Sequence, residues 1–210
     1  MQKRISESVI RRLPRYHRQL TSLIESGVQR VSSKQLGEIM QLTASQIRQD
    51  FNCLGGFGQQ GYGYPVQQLR DALGEFLGLH GSYSAVIVGA GHIGSALLHY
   101  HGFREEGLLP LAAFDVDETL VGTQVAGVRV YHASALASFL QRNRVELAVI
   151  CTPAQDAQSA VDIAIENGVS GIWNFAPVDV HADDGVTVEN IRLSDSLSFL
   201  FYHLKNRDAD

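Results

Sequence analysis

Ala85-Val86-Ile87-Val88-Gly89-Ala90-Gly91-His92-Ile93-Gly94 is the stretch on which the fold of this chain turns. A short β-branched run followed by three spaced glycines predicts a buried strand, a tight turn and a helix opening directly behind it. The glycines let backbone approach a pyrophosphate, and the helix N-terminus offers it unpaired N–H groups. The next strand, Leu111 to Phe114, ends at Asp115, 21 residues after Gly94, where a carboxylate can accept from a ribose hydroxyl. That carboxylate would repel a 2′-phosphate, so the pattern favours NAD(H) over NADP(H); FAD and S-adenosylmethionine are the other ligands of such a turn. Gly89, Ala90, Gly91, His92, Ile93, Gly94 and Asp115 are therefore the predicted cofactor contacts. Thr152, beside a later strand end at Cys151, joins them.

Toward the C-terminus the period alternates between strand and helix. The turn leads into a helix to about Tyr100. A helix near Ala133 to Gln141 precedes a strand Val145 to Cys151, and a helix Ala154 to Asn167 precedes a strand Gly171 to Phe175. Repeated βα order predicts an α/β fold with a Rossmann-like, doubly wound parallel sheet. The last segment, Leu193 to Leu204, repeats apolar residues at helical spacing and carries too much apolar surface to stay uncovered.

Toward the N-terminus the pattern is helical. Pro14 fits the first turn of a helix running to about Ser26. Leu20, Leu23 and Ile24 form its apolar face, and Arg11, Arg12, Arg15 and Arg18 lie on and around the other. Ser32-Ser33-Lys34-Gln35 and Thr43-Ala44-Ser45-Gln46 read as two successive capping boxes, the first opening a helix through Met40 and the second one through about Asn52. Two short helices joined at Gln41-Leu42 have helix-turn-helix spacing. The glycine- and aromatic-rich stretch from Gly55 to Tyr64 predicts a two-stranded ribbon turning near Gln59-Gln60-Gly61, which makes the arrangement a winged helix. A connecting helix over 66–78 leads to a boundary at His80-Gly81-Ser82. Ser45, Gln46, Arg48 and Gln49 are the exposed residues of the second helix, with amide and guanidinium groups suited to major-groove base edges. Arg11, Arg12, Lys34, Gln60 and Tyr62 complete the predicted DNA contacts.

Charge supports this division. Residues 1–80 carry ten Lys+Arg against six Asp+Glu, whereas the remainder holds seven against sixteen, so only the first part suits a polyanion. Apolar residues at 45% and charged ones at 19% describe a globular chain rather than a disordered one. No apolar run approaches the ~18 residues of a membrane span, and none follows the basic start as a secretory signal would, so a cytoplasmic location is predicted. Cys53 and Cys151 are too far apart in sequence to suggest a disulfide framework or a zinc cluster; packed thiols are expected at both, with redox sensitivity of either as the alternative. The eight histidines show no metal spacing, and no nucleophile–base pairing can be assembled. After the nucleotide fold no room remains for a substrate domain, so the dinucleotide reads as a signal rather than a co-substrate. A small NAD-dependent oxidoreductase with an N-terminal interaction domain and a CoA- or nucleotide-binding regulator are the competing readings.

The chain resembles the Rex family of redox-sensing transcriptional repressors. The matching stretches include Leu13-Pro14-Arg15-Tyr16, Val31 to Leu36, Thr43 to Asp50, Gly61-Tyr62-Gly63-Tyr64, the glycine turn, Ala113 to Asp117, Asn174 to Pro177 and Val188-Glu189-Asn190. The resemblance implies a homodimer on a palindromic operator, released by NADH and permitted to bind by NAD+. It divides the chain into a winged-helix domain (1–80), a Rossmann NAD(H)-binding domain (81–191) and a C-terminal helix (192–210) swapped onto the partner. It also implies that Arg18 and Tyr100 link the DNA-binding part to the nicotinamide end, and that Asn174 lies beside the nicotinamide. Two departures stand out. Arg192 occupies a position where the family usually has an acid, with Asp195 three residues on, and the wing tip Gln59-Gln60 lacks the family's basic residues.

Overall fold

The computed structural model describes residues 5–52, 55 and 62–207, which divide into two compact units meeting between Gly81 and Ser82. The first unit comprises α1 (Glu7–Ile10), α2 (Leu13–Glu25), β1 (Arg30–Val31), α3 (Ser33–Met40), α4 (Ala44–Asn52), β2 (Tyr64–Pro65) and α5 (Val66–Phe76). Pro14 sits in the first turn of α2, where its missing N–H costs nothing. Ser32 forms a complete capping box with Gln35. The second box forms only by half: Thr43 Oγ1 accepts from the Gln46 N–H at 3.1 Å, but the Gln46 side chain donates forward to Asp50 Oδ1 instead of reaching back. A charged acceptor one turn ahead is the stronger partner.

Between α3 and α4, Gln41 adopts a left-handed conformation (φ 57°) and Leu42 N–H bonds the Gly37 carbonyl. A Cβ on Gly37 would lie 2.5 Å from the Leu42 carbonyl oxygen, so the tight turn requires glycine there. The core beneath is Leu13, Leu20, Leu36, Ile47, Leu69 and Leu73, all fully buried. Phe51 of α4 is wedged edge-on between Tyr16 and Tyr64, with ring centroids at 4.9 and 5.0 Å. β1 and β2 pair antiparallel, and Arg30 donates to the Tyr62 and Gly63 carbonyls at 2.8 and 3.3 Å. This is the stem of the expected wing. Its tip, with Gln60, and the residue Cys53 lie outside the described residues.

The second unit runs β3 (Tyr83–Val88), α6 (His92–His99), α7 (His101–Glu105), β4 (Leu108–Asp115), β5 (Gln124–Val125), β6 (Val128–His132), a single 3-10 turn, α8 (Leu136–Arg142), β7 (Leu147–Ile150), α9 (Ala154–Glu166), β8 (Gly171–Asn174), β9 (Thr187–Asn190) and α10 (Leu193–Lys205). The sheet order is β5-β6-β4-β3-β7-β8-β9, parallel except for the β5 edge. Without β5 this is the 3-2-1-4-5-6 order of a Rossmann sheet, whose switch point lies between β3 and β7. Sequence periodicity did not predict β5, β6, β9 or α7. These are short, and β9 is half polar and bonded along one edge only, so they lack the apolar run that marks β3 and β7. Among the described residues no helix is long and apolar enough to cross a membrane.

Candidate nucleotide cleft and nucleic-acid interface

At the switch point, beyond the C-terminal ends of β3 and β7, lies a cleft of about 460 Å³, within the usual range for small-molecule sites. Gly89, Gly91, Asp115 and Thr152 border it, and Val116, Leu136 and Ile163 supply apolar walls. A Cβ on Gly94 would overlap the Gly89 carbonyl oxygen, so this glycine is needed for helix α6 to pack on the turn. A Cβ on Gly91 would meet nothing within 4 Å, and its φ is −65°. Glycine at position 91 therefore keeps space open rather than relieving strain.

Asp115 closes the turn from the next strand: Oδ2 accepts from the Ala90 N–H at 2.6 Å and Oδ1 from the Asp117 N–H at 2.9 Å. Each oxygen retains further acceptor capacity for a ribose diol. Thr152 Oγ1 is buried with no hydrogen-bond partner among the described residues. A buried hydroxyl without a partner costs about 1–3 kcal/mol, and a polar ligand in the cleft would relieve that cost. The N-termini of α6 and α9 both open here, each presenting unpaired N–H groups. An open glycine position, an orphan hydroxyl, a turn-closing carboxylate and two helix N-termini fit a dinucleotide. Cys151 faces the same cleft; burial pushes its thiol up to about 12, so it is a protonated, packed thiol at neutral pH.

Two predicted contacts stand elsewhere. Asn174 is buried, donates to the Val178 carbonyl and Asn190 Oδ1, and accepts from the Ala176 N–H, so its amide holds the loop after β8. Tyr100 is 59% exposed, caps α6, and leans edge-on against Phe103. Neither borders the cleft. His92 and Ile93 lie in the first turn of α6 and are exposed. The sequence reading missed Asp156, Ser159, Ala160 and Ile163, which line the cleft from α9. Their i, i+3, i+4, i+7 spacing was the available signal.

In the first unit, Lys34, Ser45, Gln49 and Tyr62 are exposed, and Arg48 donates to Ser33 Oγ at 3.2 Å. Arg11 pairs with Glu7 one turn back. Arg12, expected at DNA, instead grips the fully buried Asp50 through two bonds of 2.8 Å. Tyr16 adds a third bond to that carboxylate. Burial pushes Asp50 up, but bonds from Arg12, Tyr16 and Gln46 outweigh it and hold the carboxyl below its ordinary value. Arg192 is likewise paired, donating twice to Asp179 Oδ1 at 3.1 and 2.8 Å.

A helix-turn-helix unit joined to a Rossmann-type cleft defines a ligand-responsive, DNA-binding regulator. Family models agree: residues 4–52 match a model described as "Putative DNA-binding protein N-terminus", and residues 80–178 match "CoA binding domain". The chain is 46% identical over 203 residues, 97% of each chain, to the redox-sensing transcriptional repressor Rex of Clostridioides difficile. It is 48% identical to that of Clostridium acetobutylicum, covering 93% of this chain and 91% of the relative. Solved structures of RSP, a Rex-family repressor, superpose with TM-scores of 0.92 for the complex with β-NAD+ and operator DNA and 0.91 for the complex with β-NADH. These share 42% and 39% identity and cover 99% of this chain, with 95% and 97% of the RSP chains. The chain belongs to the Rex family of redox-sensing transcriptional repressors.

Proposed function

We propose that this chain is a cytoplasmic, homodimeric repressor that binds a palindromic operator and is released when NADH replaces NAD+ in the cleft. The observation that carries this is the pairing of the helix-turn-helix unit with a dinucleotide-shaped cleft in one family member. The domains are the winged helix (1–80), the nucleotide domain (81–191) and a C-terminal dimerisation helix (192–210). Swapping α10 onto a partner would cover Leu193, Phe199, Phe201 and Tyr202, each more than half exposed here. In the cleft, the N-termini of α6 and α9 would hold the pyrophosphate, Asp115 a ribose diol and Thr152 a further polar group. Tyr100 and Asn174 would act at the nicotinamide end.

Two recognition helices meet successive major grooves only if spaced by about 34 Å or a multiple of it. A nucleotide shifts the dimer away from that spacing by no more than its affinity difference between the two dimer states. The test is fluorescence anisotropy on a palindromic operator, titrating NADH against fixed NAD+. Release at low NADH is expected; equal operator affinity with both nucleotides would overturn the sensing step. Because one matching model is described as CoA-binding, a parallel CoA titration separates that ligand class.

A further inference from the structure

Asp50 is a buried carboxylate on the recognition helix whose four bonds all come from identified donors: Arg12 Nε and Nη2 at 2.8 Å, Tyr16 Oη at 2.8 Å and Gln46 Nε2 at 2.9 Å. Arg12 and Tyr16 belong to the start and first turns of α2, so directional bonds set the rotation of α4 against α2 in addition to apolar packing. Because an ionised carboxylate only accepts, the Gln46 amide must turn its nitrogen toward Asp50. One N–H is used there. Gln46, expected to be exposed, is half-buried; among the described residues its other N–H and its carbonyl oxygen have no hydrogen-bond partner, and that donor–acceptor edge is complementary to N7 and N6 of adenine in the major groove.

We propose that Gln46, oriented by Asp50, Arg12 and Tyr16, selects one A·T pair in each operator half-site, and that Arg12 and Asp50 are positioning residues rather than DNA contacts. This rests on the DNA-binding reading above. The lowered pKa of Asp50 keeps it in the acceptor form throughout the neutral range.

The experiment uses the full chain to select an operator from randomised duplexes, then measures affinity for every single-base-pair substitution. Wild type should lose roughly tenfold at one A·T position in each half-site. Gln46→Ala should abolish that discrimination while leaving the other positions unchanged. Arg12→Lys and Asp50→Asn, verified as folded by circular dichroism, should flatten the same position and no other. Adding Gln46→Ala to either should cause no further loss. Should Asp50→Asn fail to fold, Arg12→Lys and Tyr16→Phe carry the test with the carboxylate in place. A uniform loss of affinity over all sequences in these variants would show a purely structural network and overturn the proposal, as would an unchanged profile in Gln46→Ala. If wild type selects no sequence at all, the DNA-binding reading itself falls, and the inference with it.

Discussion

Gly91 illustrates how one residue can separate two functions. Its absent side chain leaves open space, and its backbone angles are accessible to other residues. Gly91→Val should therefore weaken NADH binding by about tenfold or more through overpacking of the cleft, while operator binding persists and no longer responds to nucleotide. Isothermal titration with NADH and anisotropy with operator check the two halves. Gly94→Val should instead disrupt the nucleotide unit, because its side chain would displace backbone. The Asp50 network has a pH signature. Asp50 has a folded pKa below its ordinary 3.8, so its contribution is complete above that value and is lost as pH falls through the folded pKa. Tyr16 is shifted the other way, upward from 10.0, by burial and then by its bond to Asp50. Its contribution is complete below pH 10 and is lost as pH rises beyond. Denaturant melts across pH should show both limbs, with Tyr16→Phe reducing the alkaline one, to which buried Tyr64 also contributes. The Arg192–Asp179 pair is exposed on the acid's side, so Asp179→Ala should change stability by less than about 1 kcal/mol.

Among the elements, α4 and α10 contrast. Phe51 anchors α4 between two aromatic rings, and Phe51→Ala should cost about 3–5 kcal/mol of first-unit stability, measurable by urea unfolding. No residue of α10 is buried, although it is strongly apolar. Exposed apolar surface of that extent on a helix calls for a covering surface. If α10 covers a second copy as proposed above, Leu197→Asp with Leu200→Asp should shift the protein toward monomer in sedimentation equilibrium and weaken operator binding. Helix periodicity made α2, α9 and α10 legible from sequence because each repeats apolar residues over three turns. The strands β6 and β9 were not legible. Their pairing is decided by neighbours distant in sequence, and short half-polar segments look alike whether paired or not.

For the whole molecule, linkage allows the two units to be told apart. NADH at 100 times its dissociation constant should stabilise the nucleotide unit by about 2.7 kcal/mol. Differential scanning calorimetry should show one transition rising with NADH, and none rising in Gly91→Val. A regulator needs only that this free energy differ between operator-bound and released states.

Much of the molecule follows from local pattern. The glycine spacing, the acid at the end of the next strand, the apolar periods and the paired serine and threonine caps suffice for a helix-turn-helix followed by a doubly wound sheet. They also suffice to place Gly91 and Asp115 at one cleft, because a strand–helix–strand repeat lays successive strands parallel and brings their C-terminal ends to one edge of the sheet. Tertiary structure alone decided the rest. It bonded Arg12 to Asp50, set Asn174 to bracing its own loop, and paired Arg192 with Asp179. A polar side chain's role depends on which partner lies within about 3 Å. That partner can be dozens of residues away, where no local period reaches.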